Sequence, residues 1–324
     1  MAEMSKNPRF PPTPRLIAFV VFPGFQLLDA AGPLAAFEIA ERFSPRAYRL
    51  RVVAAAAGLV RSSSGVSFPA DALRAAAHAD TVIVAGGQGT RAAMQDSALL
   101  RTLRRLKGRV RRLSSVCSGA FVLAAAGLLD GKTATTHWRQ APLLARLHPD
   151  VTVLADRIHV EDGDIWTSAG VTAGIDLALA MIEQDLGSDV AANVAREMVV
   201  YAKRPGGQAQ HSALLDIDAP RFAELNAWMR AHMGENLNVE KLAARAGMSP
   251  RTFARAYAAD TGTTPAKAVE RLRVDAARAA LARGGSLLAI ARKTGFGDPE
   301  RMRRAFIRVY GTPPAALRRT LRHA

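Results

Sequence analysis

The last third of the chain contains two copies of one sequence unit, and this repeat restricts the possible folds more than any other feature. The stretch LAARAGMSPRTFARAYAADTGTTP (242–265) corresponds to IARKTGFGDPERMRRAFIRVYGTPP (290–314), with one residue added in the turn. A repeat of this length indicates a supersecondary unit that is used twice. The equivalent residues lie 48 or 49 positions apart: Leu242 and Ile290, Gly247 and Gly295, Phe253 and Met302, Tyr257 and Phe306, Gly262 and Gly311, Pro265 and Pro314.

Each copy is predicted to consist of a helix, a tight turn and a second helix. Gly247 and Gly295 can adopt the left-handed backbone conformation that ends a helix. The apolar residue after each glycine, Met248 or Phe296, is placed to fill the space between the helices. A capping residue followed by proline then starts the next helix at four places: Ser249-Pro250, Asp298-Pro299, Thr264-Pro265 and Thr312-Pro313.

The outer face of the second helix in each copy carries arginines. Phe253 and Tyr257 are four residues apart and are expected to face the core, so the opposite face points to solvent. The planar guanidinium group of arginine can bridge two acceptors of guanine in the major groove of DNA. The predicted DNA-contacting residues are Arg251, Thr252 and Arg255 in the first copy, and Glu300, Arg301, Arg303 and Arg304 in the second.

A helix over 265–284 is expected to hold the two copies at a fixed separation. Their second helices can then enter successive major-groove segments about 34 Å apart on one face of DNA. A helical bundle with a solvated basic face is the alternative. The charge distribution favours DNA, because residues 221–324 carry 20 Lys/Arg against 8 Asp/Glu, whereas residues 1–220 carry 24 against 20, of a total net charge of +16.

The first two hundred residues alternate between short β-rich runs and helical patterns. This alternation predicts an α/β fold with a doubly wound, mostly parallel sheet, followed by the all-α part with its two helix-turn-helix units. Asp162-Gly163 predicts a hairpin turn. The β-rich runs are 16–22, 48–56, 80–86, 110–116, 151–155 and 164–170, and the helical patterns include 32–43, 97–108 and 172–187.

Two domains are predicted, over residues 14–200 and 221–324, with a linker at 201–220. The linker lies around KRPGGQAQHS (203–212), which has glycines, a proline and no apolar period. The single cysteine cannot form an intramolecular disulfide, which fits a reducing cytoplasm. No apolar run reaches the roughly 18 residues of a membrane span.

Cys117, the only cysteine, lies between a predicted strand and a predicted helix. The stretch VRRLSSV (110–116) is followed by Cys117 and then by Ser118-Gly119-Ala120. Small neighbours allow the sharp turn of a nucleophile elbow. A helix N-terminus is expected to lower the pKa of the thiol and favour the thiolate. A buried structural cysteine at a helix start is the alternative.

Two resemblances follow from these residues. Residues 220–320 resemble the DNA-binding domain of the AraC/XylS family of transcription regulators, and the resemblance adds Ala254 as a base-contacting position. Residues 14–190 resemble the ThiJ/PfpI-like domain of the class I glutamine amidotransferase superfamily. The matching pieces of this second resemblance are FPGFQLLDAAGP (22–33), VAGG (84–87), SVCSGAFVLAAAGLLDGKTATTHW (115–138) and GDIWTSAGVTAGIDLALAMIE (163–183).

The second resemblance implies a ligand pocket. Asp29 is the carboxylate that approaches Cys117, and the amides of Gly86 and Gly87 are expected to face an oxyanion. The remaining pocket residues that the match implies are Ser118 and His137. Ser118 stands where the protease-like branch of the superfamily has a histidine, so the usual general base is missing.

The whole chain resembles the amidotransferase-like AraC regulators, in which the enzyme-like domain is a sensor or dimerisation unit. This implies a cytoplasmic transcription regulator that binds double-stranded DNA and a small effector, dimerises through its first domain, and acts with RNA polymerase. A cysteine-dependent hydrolase or hydratase acting on a carbon–nitrogen compound is the alternative, with Cys117 and Asp29 as the catalytic pair. A thiol redox sensor is a third possibility, which requires an exposed Cys117 of low pKa.

No cofactor or metal is predicted. The acids of VEDGDI (160–165) lack the spacing of a calcium loop, and GGQGT (86–90) lacks the Gly-Lys-Ser/Thr of a phosphate loop. The run RTLRRLKGRVRR (101–112) is interpreted as the solvated face of a helix and a strand start, with a secondary phosphate contact as the alternative.

Overall fold

The chain folds into two compact units that divide between residues 210 and 211. The computed structural model describes residues 13–200, Arg204, Gly206, Gln210, 220–310, 313–316 and Arg318. Most of the predicted linker at 201–220 therefore lies outside the described residues.

The first unit is built on an eight-stranded sheet in the order β3-β4-β2-β1-β5-β6-β10-β9. Strands β2, β1, β5, β6 and β10 run parallel, and antiparallel hairpins close both edges. The strands are β1 (Arg15–Val20), β2 (Tyr48–Ala54), β3 (Gly58–Arg61), β4 (Ser67–Ala72), β5 (Thr81–Val84), β6 (Arg112–Val116), β7 (Thr133–Ala134), β8 (Thr152–Val153), β9 (His159–Asp162) and β10 (Ile165–Ser168).

Helices cover both faces of this sheet, as the alternation predicted. Side chains of β1 alternate between two cores: Ile17 and Phe19 pack on one face, and Leu16, Ala18 and Val20 pack on the other. The helices of this unit are α1 (Leu27–Phe43), α2 (Thr90–Ala93), α3 (Ser97–Leu106), α4 (Gly119–Ala125), α5 (Ala141–Leu147), α6 (Ala173–Leu186) and α7 (Ser188–Glu197).

Several elements differ from their predicted positions. Helix α1 begins at Leu27, ahead of the predicted start at residue 32, and contains Pro33 in its interior. The run at 151–155 was expected in the main sheet, but β8 pairs with β7 in a separate two-stranded sheet. The β3–β4 hairpin was not predicted. The hairpin at Asp162-Gly163 is confirmed, since β9 and β10 are antiparallel across it.

The interpretation of 101–112 as a solvated basic face is wrong at its end. Arg112 is only 2% exposed, because it lies on the buried strand β6. Its guanidinium group pairs with Asp185 at 2.7 Å and lies 5.0 Å from the ring centre of Trp166. Arg111 also binds Asp185 and bridges to Asp80. These two arginines stabilise the sheet at the end where β6 begins.

The second unit is helical and contains the predicted repeat. The first copy and the second copy have separate cores, and the long helix between them contributes Leu272 to the first core and Val274 to the second. The helices are α8 (Ala223–Ala231), α9 (Val239–Arg245), α10 (Pro250–Thr261), α11 (Pro265–Arg283), α12 (Leu287–Lys293) and α13 (Pro299–Tyr310).

The predicted turns and caps of the repeat are confirmed where the structure describes them. Gly247 and Gly295 have φ of 65° and 79°, the left-handed region in which glycine is favoured. The Ser249 hydroxyl accepts from the amide of Thr252, and the Asp298 carboxylate accepts from that of Arg301. The predicted equivalents Gly311 and Thr312 lie outside the described residues. Within the described parts of the chain, none of the helices is long and apolar enough to cross a membrane.

Candidate functional site

The predicted pocket residues of the first unit meet at the carboxyl edge of the sheet. Asp29 lies in the first turn of α1, after β1. Gly86 and Gly87 follow β5, Cys117 follows β6, and Gly170 follows β10. In open α/β sheets this edge is where ligands bind, at the point where the strand order reverses. That reversal lies between β1 and β5 in this sheet.

Cys117 occupies a sharp elbow, as the sequence predicted. Its φ is 55°, a left-handed conformation that is costly for a residue with a side chain. Its amide donates to the carbonyl of Ser168 on β10, and α4 begins two residues later, at Gly119.

Two glycines make the elbow possible. A Cβ at Gly170 would lie 2.1 Å from the Cβ of Cys117, and one at Gly119 would lie 2.4 Å from the carbonyl oxygen of Val84. Larger residues at either position would therefore push the elbow out of place.

Asp29 is fully buried beside the thiol. Its Oδ1 accepts from the amide of Val171 at 2.8 Å, and its Oδ2 accepts from the amide of Gly86 at 3.1 Å. It also has a hydrogen bond with Cys117. Burial raises the pKa of Asp29 to about 6, and the two amides oppose this rise. The carboxyl group can therefore exchange a proton near neutral pH.

The expected low pKa of the thiol is wrong. Burial is the largest cause that raises the pKa of Cys117 to about 12, and the negative charge of Asp29 adds to it. Hydrogen bonds from Ser118 lower the pKa but do not compensate. Burial and the charge of Asp29 both disfavour the thiolate, which is the form that acts as a nucleophile and that a low-pKa redox sensor requires.

The amides of Gly86 and Gly87 do not face an open oxyanion position. The Gly86 amide donates to Asp29, and the Gly87 amide donates to Oγ of Ser118 at 2.9 Å. The Ser118 hydroxyl lies 2.8 Å from that of Thr90, which in turn donates to the carbonyl of Gly87. Thr90 was missed as a site residue, although the unusual run GGQGT that ends on it was noticed.

Thr136, the residue before His137, binds the elbow directly. The hydroxyl of Thr136 donates to the carbonyl of Cys117 at 2.8 Å. The contacts of His137 include the ring of Trp138, which stacks on it at 5.7 Å, and the amide of Arg139. Asp162, one of the acids of VEDGDI, accepts from the Thr133 amide and from Lys132, and these lower its pKa.

In the second unit, the predicted contact residues of the first copy lie on the outer face of α10. Phe253 and Tyr257 are buried as predicted, while Arg251, Thr252 and Arg255 are exposed. Among the described residues, the guanidinium groups of Arg251 and Arg255 have no hydrogen-bond or ion-pair partner. The Thr252 hydroxyl accepts from Ser249 within the cap, and Ala254 is half-buried.

The predicted residues of the second copy are also exposed, but they pair with one another. Glu300 accepts two hydrogen bonds from Arg303, at 2.7 and 2.8 Å, and Arg304 lies 4.0 Å from it. Arg301 and Arg304 line a cavity of about 340 Å³ between α11 and α13, to which Arg273 and Arg308 also contribute. Glu270 lines the same cavity and accepts two hydrogen bonds from Arg308, so the excess positive charge on this side of α13 comes from Arg273, Arg301 and Arg304.

Comparisons with known proteins favour the regulator among the alternatives that the sequence left open. The DJ-1/PfpI family matches residues 15–184, and a helix-turn-helix domain matches residues 242–320. The HTH-type transcriptional regulator GlxA of Rhizobium meliloti is 33% identical over 94% of this chain and 95% of its own length. The chain belongs to this family of transcriptional regulators. The regulator binds DNA through its AraC-type helix-turn-helix part, and its first unit has the DJ-1/PfpI fold.

Two further relatives match the first unit of the regulator. Isonitrile hydratase of Pseudomonas putida is 36% identical over 190 residues, which is 58% of this chain and 79% of that enzyme. The crystal structure of a ThiJ/PfpI family protein from Pseudomonas syringae superposes with a TM-score of 0.54 at 29% identity, over 62% of this chain and 81% of that protein. The first unit is thus similar both to an enzyme and to the first part of a transcriptional regulator.

Proposed function

We propose that a small polar metabolite, bound at the carboxyl edge of the sheet around Cys117, controls how this regulator binds DNA. The single observation that carries the proposal is the strained elbow at Cys117 beside the buried carboxylate of Asp29, in a chain that is joined to a DNA-binding domain. Such strain persists where a site is built for binding or chemistry.

The polar groups at this edge suit a small polar ligand. Cys117, Ser118 and Gly87 are partly exposed, although the strands below them are buried. The hydroxyls of Ser118 and Thr90 can donate or accept, and Asp29 is largely ionised at neutral pH because its pKa is about 6. The ligand-pocket residues that we propose are Asp29, Gly86, Gly87, Thr90, Cys117 and Ser118, with His137 at the margin.

On DNA, we propose that α10 and α13 read bases in two successive segments of the major groove. Arg251 and Arg255 are exposed and available to bridge guanine acceptors. In the second copy, Arg301 and Arg304 lie on the positive side of α13. Helix α11 holds the copies apart, and its 19 residues span about 28 Å at the rise of an α-helix.

A second copy of the chain is the partner we propose for the first unit. Strand β3 is an edge of the sheet, and its Leu59 is 77% exposed. Exposed apolar side chains on an edge strand favour pairing with another strand. Dimeric mass in solution for the wild type and monomeric mass for Leu59→Lys would support this. We also propose RNA polymerase as a contact of the DNA-bound regulator, in the cytoplasm.

The test of metabolite control measures operator affinity directly. The full-length protein first selects its preferred duplex from a random-sequence pool. Its affinity for that duplex is then measured with and without each metabolite that binds the protein in a thermal-shift screen. A change that is absent in Asp29→Ala supports the proposal. Identical affinity with and without every binding metabolite overturns it.

A second candidate function is a hydratase-like activity, favoured by the identity with isonitrile hydratase and by the contact of Cys117 with Asp29. Cys117→Ala separates the two. Loss of isonitrile turnover with intact DNA binding would support the enzyme. Absence of turnover in the wild type, together with altered metabolite control in the variant, supports the sensor.

A further inference from the structure

Three described residues near the end of the first unit, Arg204, Gly206 and Gln210, are attached beside the proposed pocket. The DNA-binding unit begins directly after them, at residue 211. We call these three residues the latch.

Arg204 makes the first attachment, on helix α6. Its Nε and Nη2 donate to Oδ2 of Asp176 at 2.9 and 2.7 Å, and its amide donates to Oδ1 at 2.7 Å. Burial raises the pKa of Asp176, and Arg204 is the cation that opposes this rise. Removing Arg204 would leave a buried carboxylate without its counter-ion.

The same guanidinium group reaches the edge of the pocket. Nη2 of Arg204 donates to the hydroxyl of Thr172 at 2.9 Å. Thr172 directly follows Val171, whose amide donates to Asp29. Arg204 therefore binds the residue that is next in the chain to the one whose amide binds Asp29, the carboxylate of the proposed pocket.

Gln210 makes the second attachment, on the loop after β7. Its side-chain oxygen accepts from the amide of Trp138 at 2.8 Å, and its side-chain nitrogen donates to the carbonyl of Thr136 at 2.8 Å. Its amide donates to Asp156. The hydroxyl of the same Thr136 donates to the carbonyl of Cys117. Thr136 therefore connects Gln210 to the elbow through two hydrogen bonds.

Gly206 lies directly against the first unit. Its carbonyl accepts from the amide of Ile158 at 3.0 Å. A Cβ at this position would lie 2.7 Å from the carbonyl oxygen of His159, so a larger residue would disturb this contact.

We propose that the latch couples the pocket to the DNA-binding unit, so that movement of the Cys117 carbonyl or the Val171 amide loosens or tightens the chain at residue 210. This inference rests on the proposed metabolite control and names its route. The attachments are polar and specific, and both touch residues adjacent to the pocket, whereas a merely packed linker would bury apolar side chains. Because coupling is reciprocal, DNA binding must also change the environment of Cys117.

That reciprocity permits a test without the effector. Hydrogen–deuterium exchange of the backbone amides in peptides that cover residues 116–120 reports on the elbow, because the Cys117 amide donates to the carbonyl of Ser168. The exchange rate is measured in the full-length protein with and without a saturating concentration of its selected duplex. For the wild type we expect DNA to change the rate by at least about fivefold, which is the lower end of typical coupling between two sites.

The variants are chosen to break each attachment separately. Arg204→Ala, Gly206→Val and Gln210→Ala are each expected to reduce the DNA-dependent change below twofold. The double variant Arg204→Ala/Asp176→Asn also removes the carboxylate that Arg204→Ala alone would leave buried and unpaired. We expect this variant to fold and to show the same reduction of the DNA-dependent change. The matched controls are Arg49→Ala and Gln95→Ala, exposed positions of the same unit that should keep the wild-type change.

The outcomes separate the latch from the proposed function. A DNA-dependent rate change that persists in all latch variants overturns the latch, while metabolite control stands on its own operator titration. No rate change in the wild type also overturns the latch. A change that is lost in the latch variants and kept in the controls supports it, even if every metabolite tested leaves operator affinity unaltered.

Discussion

The two regions of this regulator for which we propose a function use charge in opposite ways. Around Cys117 the groups are buried: burial raises the pKa of Asp29 and, as the largest cause, that of the Cys117 thiol, which favours the neutral form of each. On α10 and α13 the arginines are exposed and fully charged. Burial therefore makes the first region sensitive to pH, whereas exposure makes the second sensitive to salt.

The largest expected effect is the salt dependence of DNA binding. A fragment of residues 215–324 should bind the selected duplex without the first unit. If it contacts six or more phosphates, its affinity should fall by about 10³-fold or more between about 50 and about 200 mM salt, because bound cations are released. Fluorescence anisotropy at several salt concentrations measures this. A flat salt profile would show that the exposed arginines do not face DNA.

The next effect concerns the pH dependence of stability through Asp29. Folding raises its pKa to about 6 from 3.8, so this group stabilises the protein below about pH 4, and the contribution is lost as pH rises through 6. The wild type should lose about 3 kcal/mol of unfolding free energy from this group across that range.

Asp29→Asn isolates that contribution. The free energy of unfolding of the variant minus that of the wild type, measured with urea, should rise from pH 4 to pH 7. This rise does not depend on how much stability the lost hydrogen bond costs at either pH. The exposed Asp130→Asn is the control and should show no such trend. Equal pH profiles for Asp29→Asn and wild type would mean that the carboxyl group has an ordinary pKa.

Loss of a single arginine that we propose to read bases should have a somewhat smaller effect. Arg255→Ala should weaken binding to the selected duplex by about 1–3 kcal/mol and relax its sequence preference, since a bidentate contact to guanine is lost. Arg304→Ala should act in the same direction. Competition with scrambled duplexes measures the preference, and Arg49→Ala is the control. An equal loss on every duplex would instead assign these arginines to phosphates.

The smallest expected effect distinguishes the two copies of the repeat. Glu300 holds Arg303 in a bidentate pair, so this arginine cannot bridge a guanine at the same time. Glu300→Gln should release Arg303 and raise DNA affinity by about two- to fivefold, the range expected for breaking an exposed pair. Weaker binding in this variant would mean that Glu300 itself accepts a hydrogen bond from a base.

Much of the fold could be read from local patterns. The strand–helix alternation predicted the sheet, and the spacing of Phe253 and Tyr257 predicted the exposed face of α10. The start of α1 was placed too late because Gly32 and Pro33 are ordinarily found at helix ends, yet both are accommodated inside this helix. The β3–β4 hairpin was missed because its strands are short and carry exposed residues such as Leu59.

The site itself was predicted less completely than the fold. Cys117 and Asp29 were found, but Thr90, Thr136 and Val171 reach them from segments that nothing in the local sequence connects. The direction of the thiol pKa was predicted wrongly, because the helix N-terminus is a local feature, while burial and Asp29 depend on the assembled fold.

The sequence by itself determined the regulator's architecture: a doubly wound sheet, a repeated helix-turn-helix and a strained elbow at the lone cysteine. These follow from short-range rules, since apolar period, glycine and capping residues act within a few positions. Only the tertiary structure decided which pKa values burial raises, which of the exposed arginines are paired, and how Arg204, Gly206 and Gln210 attach near the Cys117 elbow. Burial and hydrogen bonding between distant segments set those properties, and both exist only once the chain has folded.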